Sequence, residues 1–229
     1  MTQPHGVDEI KQGWQDDAVA QTYDEKRFST LSGKLSDWLD KRAIGSALTG
    51  VPADAPLLDL PCGTGRILHH MYISGRHNLV GADISTQMLD VAKGKMNGRS
   101  SVEFAIADAT KTGFPADAFQ AITSIRFMGH LPAQTRQSVL REFWRICSGL
   151  VVVEYPQRSV AAGWVKRVLR VFTVQARLGQ GQWSWNVLSA ADLDAEFRAA
   201  GLTIVRKVRK LPLLSDSVFI VARRLPIGP

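Results

Sequence analysis

Leu57-Leu58-Asp59-Leu60-Pro61-Cys62-Gly63-Thr64-Gly65-Arg66 decides how the rest of the chain reads. A short apolar run ends in a turn holding two glycines, and a helical pattern opens at Arg66. A run apolar on both faces reads as a strand buried in a parallel sheet. In open α/β sheets, ligands bind beyond the carboxyl ends of such strands. Gly63 and Gly65 permit unusual backbone angles and close approach of the main chain to a ligand. Free N–H groups at the start of the next helix favour a carboxylate or phosphate.

Outward from that turn, strand and helix alternate. Strands are predicted at Leu79–Asp83, Val102–Ala107, Ala121–Ile125 and Leu150–Glu154, and helices at Arg66–Met71, Thr86–Met96 and Ala133–Ile146. Ser85 is placed to cap the second of these helices. Ser189 is placed to cap a further helix, Ala190–Ala200, which Gly201 terminates. Two last strands, Leu202–Val208 and Ser217–Ala222, are close enough to pair as an antiparallel hairpin around residues 212–216. Helices are also expected at Asp16–Phe28 and Leu35–Leu48. The pattern predicts an α/β fold: a doubly wound, mostly parallel sheet with helices on both faces and an antiparallel last strand. Residues 1–229 are read as one domain, with an N-terminal helical lid over 1–50 and a helical insertion over 156–186 after the fifth strand.

The totals narrow the class. The 229 residues are 45% hydrophobic and 21% charged, as in an ordinary globular protein, which excludes disordered and fibrous classes. Two cysteines, Cys62 and Cys147, cannot form a disulfide framework and point to a reducing compartment. Residues 1–17 are polar and lack the apolar core of a signal peptide. No stretch approaches the roughly 18 apolar residues of a membrane span. The expectation is a cytoplasmic protein. The net charge of +7 raises the weight of an anionic partner without establishing one.

The charges around the turn discriminate between cofactors. A dinucleotide site wants Gly-x-Gly-x-x-Gly, and its third glycine falls at Leu68 here. Asp59, just before the turn, would repel a pyrophosphate but pair with an ammonium. S-adenosylmethionine has an ammonium, a carboxylate and a sulfonium, and no phosphate. Asp83 ends the second strand, where a carboxylate can accept from both ribose hydroxyls; the plainer alternative is a helix cap, a part that Ser85 fills better. Asp108, in Ala107-Asp108-Ala109 after the third strand, is a candidate for the adenine amino group.

In order and spacing, the segment from Leu57 to Glu154 resembles the class I S-adenosylmethionine-dependent methyltransferases, a seven-stranded Rossmann-like family. The turn is similar to that family's D-x-G-x-G-x-G, with Pro61 at the first glycine. Proline fixes φ and removes an N–H. The resemblance implies S-adenosyl-L-methionine as methyl donor and S-adenosyl-L-homocysteine as product. It places Asp59, Pro61, Gly63 and Gly65 at the methionine part, and Asp83 at the ribose. Ile84, Met88, Asp108 and Ala109 fall on the adenine side, although Ile84 and Met88 read equally well as core. Tyr23, in Gln21-Thr22-Tyr23-Asp24, resembles the lid tyrosine of small-molecule members.

Methyl transfer needs alignment more than a catalytic dyad. In the family, the loop after the fourth strand, Ser124-Ile125-Arg126-Phe127-Met128-Gly129-His130, faces the transferred methyl. His130 is a candidate general base and Arg126 a candidate contact for an anionic acceptor; a structural histidine and a pocket-rim arginine are the plainer readings. The Asn/Asp-Pro-Pro-aromatic loop of DNA methyltransferases is absent, and no nucleic-acid module is recognised. His69 and His70 lack further ligands at metal spacing, so no metal site is expected.

From Tyr155 to Ala191 there is no acidic residue, while Arg158, Lys166, Arg167, Arg170 and Arg177 interleave with Trp164, Phe172, Trp183 and Trp185. Such a stretch fits contact with an anionic membrane over 158–178, a cover for substrate, or a homodimer contact. The expected activity is methyl transfer to an O or N atom of a small or intermediate acceptor, with an anionic glycan, lipid-linked molecule or acidic metabolite fitting the charge. A nicotinamide-dependent oxidoreductase and a non-catalytic binding protein on the same fold are the alternatives.

Overall fold

A computed structural model describes residues 22, 24, 28–96, 101–156, 188–210 and 217–225. Seven strands form one sheet in the order β3-β2-β1-β4-β5-β7-β6. They are β1 (Leu57–Asp59), β2 (Leu79–Asp83), β3 (Val102–Ile106), β4 (Phe119–Ser124), β5 (Cys147–Pro156), β6 (Leu202–Arg209) and β7 (Ser217–Arg224). The first five pair in parallel, and β7 runs antiparallel between β5 and β6. The mixed, mostly parallel sheet expected from the strand–helix alternation is what the chain forms, in the seven-stranded Rossmann-like arrangement that the resemblance implies.

Helices cover both faces because the strand residues alternate in which face they present. Leu58, Val151, Val153, Val218 and Ile220 pack with Val139, Leu140 and Phe143 of α4 (Ala133–Ile146) and with Leu193 and Phe197 of α5 (Ala190–Ala199). Leu57, Val152, Phe219 and Val221 pack the other way, against Ile44 and Ala47 of α1 (Leu31–Ala47) and Leu68 and Met71 of α2 (Arg66–Ile73). Every one of these side chains is buried. The remaining helix, α3 (Thr86–Met96), follows β2; Ser85 Oγ accepts from Met88 N–H at 3.2 Å and so caps it.

Element ends shift where local sequence misleads. α1 starts at Leu31 rather than Leu35, because Thr30 caps it by accepting from Gly33 N–H at 3.1 Å. β5 starts at Cys147, directly after α4, although Ser148 and Gly149 have poor strand propensity. It also takes in Pro156, which pairs with Ser217, so the expected insertion cannot begin there. Most of the first predicted helix, the rest of the insertion with its basic residues, and the turn at 212–216 lie outside the described residues.

Much of the positive charge is spent inside the fold. Arg76 donates to the carbonyls of Leu48, Val51 and Pro52 beyond α1. Arg206 donates to Ser46 and Ala47 carbonyls at the end of the same helix, where the dipole favours a cation. Lys207 pairs with Asp194, and Arg224 with Asp117. The net charge is therefore a weak guide to an anionic partner.

Glu142 accepts from Arg145 at 2.7 and 2.8 Å and from the Thr112 side chain at 2.6 Å, and these bonds hold its carboxyl at about 2, below the usual 4.5. A depressed acid stabilises the fold fully above its unfolded pKa and loses that contribution as pH falls through the folded value. Stability measured by urea unfolding is expected to drop by about 1–3 kcal/mol between pH 4.5 and 2 on this account, the Arg145 side being partly screened by solvent. Glu142→Gln is expected to remove that part of the acid dependence.

Candidate functional site

The strand order reverses between β1 and β4, and the carboxyl ends of β1, β2 and β4 open onto one cavity there. The space is about 790 Å³ when the open solvent at its mouth is counted. Residues after β1 supply one wall, from Pro61 to Thr64 with Arg66 and Ile67. Asp83, Ile84 and Met88 supply a second, and Ile125, Arg126, Phe127 and His130 a third. Asp59 lies at the base.

The strand register sets the base. Asp59 stands opposite Thr123 on β4, whose hydroxyl donates to Asp59 Oδ1 at 2.7 Å. Asp59 is only 2% exposed, and burial pushes its carboxyl up to about 7. Asp83 is also buried, and its pKa is raised by the same desolvation. Gly63 N–H donates to one of its oxygens at 2.8 Å and Ser85 N–H to the other at 3.0 Å. The second strand thus holds the glycine turn through a side chain, 20 residues along the chain.

The two glycines have different reasons to be glycine. Both have positive φ, +53° at Gly63 and +74° at Gly65. A Cβ at Gly63 would meet nothing within 4 Å, whereas one at Gly65 would lie 2.8 Å from the Ala92 Cβ on α3. Gly65 is therefore required by close packing of α2 and α3, and it does not line the cavity. Asp108 and Ala109 do not line it either. Asp108 turns back to accept from Thr110 N–H and hydroxyl at 2.9 and 2.8 Å, and Ala109 is packed in the core. Tyr23 lies outside the described residues, but its neighbour Asp24 is placed. Asp24 accepts from the Thr64 hydroxyl at 2.9 Å and from Lys95, which also donates to the Thr64 carbonyl.

Sequence reasoning missed the ion cluster behind the third wall. Asp40 of α1 is fully buried and pairs with Arg66, Arg126 and Lys210. Burial would raise its pKa, but Arg126, Lys210 and Arg66 outweigh it and hold the carboxyl below the ordinary range. Lys210 also reaches Glu154 at 2.9 Å, and Asp37 pairs with Arg66 and Lys41. Arg126 sits at φ +58°, a left-handed conformation that costs a non-glycine residue about 1–3 kcal/mol. Its N–H bond to Glu154 at 3.0 Å and its guanidinium bonds to Asp40 and Ser36 hold it there. The available signal was periodicity: Asp40 falls on the face of α1 that also carries Ile44 and Ala47.

Comparison with known proteins agrees with this geometry. Residues 57–149 match the family model described as a methyltransferase domain. Over these residues the chain is similar to methyltransferase domains. A demethylmenaquinone methyltransferase of Clavibacter sepedonicus is 38% identical over 107 residues, 47% of this chain and 42% of that protein. Methyltransferase GfsG of Streptomyces halstedii is 30% identical over 99 residues, 42% of this chain and 35% of that protein. The matched part is thus less than half the length of each relative. In overall fold the chain is similar to the magnesium protoporphyrin IX methyltransferase of Synechocystis, solved with S-adenosylhomocysteine, at a TM-score of 0.72 and 13% identity, covering 96% of this chain and 100% of that one. At that identity the likeness speaks for the fold.

Two substitutions separate packing from charge compensation in this domain. Gly65→Ala is expected to destabilise by about 1–3 kcal/mol through the clash with Ala92 and the positive φ, and Gly63→Ala by less, about 1 kcal/mol, both read from thermal unfolding. Asp40→Ala removes the carboxylate that Arg66, Arg126 and Lys210 share, and an unfolding free energy lower by about 3–5 kcal/mol is expected.

Proposed function

We propose that the protein transfers a methyl group from S-adenosylmethionine to an O or N atom of a small or intermediate acceptor. The observation that carries this reading is the pair of buried carboxylates, Asp59 and Asp83, at the base and side of one cavity. An ammonium group compensates a buried carboxylate at the position of Asp59, and a pyrophosphate would be repelled there; a nicotinamide dinucleotide fits less well for that reason. Gly63, with open space on its Cβ side, leaves room for close approach of the methionine part. Asp83 offers acceptor oxygens for ribose hydroxyls, and Ile84 and Met88 an apolar wall for the base. S-adenosylmethionine supplies a methyl group already activated on a sulfonium.

The chain's own part is to bind, align and exclude water. Ile125, Arg126, Phe127 and His130 form the wall left for the acceptor. Ile125 and Phe127 give it an apolar lining that limits competing water. His130 is proposed to take the acceptor's proton; a positioned base contributes about a hundredfold to ten-thousandfold. An anionic group on the acceptor is supported by Arg66 and Arg126 in the cavity wall, although both guanidiniums already share Asp40.

The test is transfer of labelled methyl from S-adenosylmethionine to an added pool of small metabolites and lipid extracts. Label in an acceptor fraction, lost with Asp83→Ala, supports the reading; label that stays with the donor in every pool contradicts it. With an acceptor in hand, His130→Gln is expected to lower kcat at least a hundredfold with little change in KM.

Asp59 adds a pH signature. An ammonium needs the ionised carboxylate, and in the free protein that carboxyl sits at about 7. Affinity for S-adenosylhomocysteine is therefore expected to rise as pH increases from 5.5 to 7.5, by up to about tenfold per unit below the pKa. Asp59→Asn should bind weakly and show a flat profile over that window. A wild-type affinity independent of pH would contradict the role given to Asp59.

A further inference from the structure

Among the described residues, the outward face of α1 has no part in the cavity or the core. Leu31, Leu35 and Trp38 are 88%, 54% and 53% exposed, and they recur with Arg42 at i, i+4, i+7 and i+11, which is one face of a helix. The opposite face is the buried one and carries Asp40 and Ile44. From this face we infer that α1 docks on an anionic lipid surface, with Leu31, Leu35 and Trp38 entering the headgroup boundary. The inference stands apart from the methyl-transfer reading.

Charge complementarity identifies the occupant. The exposed charged residues of α1 are Lys34 and Arg42, both cations. Its two acids are turned away from that face: Asp40 is buried among three cations, and Asp37 is bound to Arg66 and Lys41. Apolar side chains with a tryptophan, bordered by lysine and arginine, form the pattern of a helix lying in a membrane interface. The Arg42 guanidinium stands 5.6 Å from the Trp38 ring, so the cation and the aromatic present together. The size of the patch argues against a second copy of the chain. Three side chains, of which even the aromatic covers only about 150–250 Å², fall short of the roughly 800 Å² per partner that a stable protein interface takes. Shallow insertion into lipid needs no such area.

The placement has a consequence for the site. Arg66 and Arg126, which line the cavity, bind the inner face of α1 through Asp40. A docked α1 would put the cavity about one helix diameter, roughly 10–12 Å, from the lipid surface.

The test is co-sedimentation of the full chain with vesicles of phosphatidylcholine containing phosphatidylglycerol, and with phosphatidylcholine alone. The wild type is expected to sediment with the anionic vesicles, and to do so less at high salt. Leu35→Ser with Trp38→Ser should lower the partition coefficient at least tenfold, and Lys34→Gln with Arg42→Gln should remove most of the salt dependence. Thermal unfolding of each variant should match the wild type, which keeps this outcome separate from any failure to fold or to bind S-adenosylhomocysteine. The inference is overturned if the Leu35→Ser, Trp38→Ser variant binds vesicles as the wild type does, which would move membrane contact to another part of the chain. It is equally overturned if the wild type stays in solution with anionic vesicles, as a monomer or as a dimer seen by light scattering.

Discussion

A fully buried carboxylate must be compensated where it stands, and Asp40 is compensated by three cations from three other parts of the chain. Arg66 opens the helix after the glycine turn, Arg126 follows the fourth strand, and Lys210 follows the sixth. One acid on α1 therefore fixes the N-terminal helix, two cavity walls and the far edge of the sheet relative to one another. Such a cluster is costly to break and worth little net stability while intact. Its effect is positional: it keeps Arg126 in a left-handed backbone conformation at the cavity wall.

The cavity itself rests on two further acids, used differently. Asp83 is satisfied by backbone N–H groups of Gly63 and Ser85, so it stitches the turn to the second strand. Asp59 has a threonine hydroxyl opposite, and burial pushes its carboxyl up to about 7. A buried acid held in that state is poised for a cationic group. The glycine turn is built on the same economy: Gly65 lets two helices meet, and Gly63 leaves space open to the cavity.

The sheet was legible because its signals are local. Continuous apolar runs such as Leu150–Glu154 gave the parallel strands, and the absence of room for a helix between Arg209 and Ser217 gave the antiparallel pair. Ser85 and Ser189 announced their helices, and both act as caps. Of the candidate site residues, Asp59, Pro61, Gly63, Asp83, Ile84, Met88, Arg126 and His130 come together on one cavity because each lies at or beyond the carboxyl end of β1, β2 or β4. Gly65 and Asp108 follow parallel strands too, but a Cβ clash and an internal turn explain them without a ligand. The Asp40 cluster was not legible as a cluster, since its members are up to 170 positions apart and only the fold brings them together. Arg206, Lys207 and Lys210 bind carbonyls and acids of the chain itself.

The central claim is that this cavity takes S-adenosylmethionine. Calorimetric titration of the purified chain with S-adenosylmethionine and S-adenosylhomocysteine, beside NAD and the Asp83→Ala variant, tests it most directly. Saturable binding of both sulfur compounds, absent with NAD and lost in Asp83→Ala, is the result the account predicts. A folded protein that binds neither sulfur compound, or that binds NAD in their place, would contradict it.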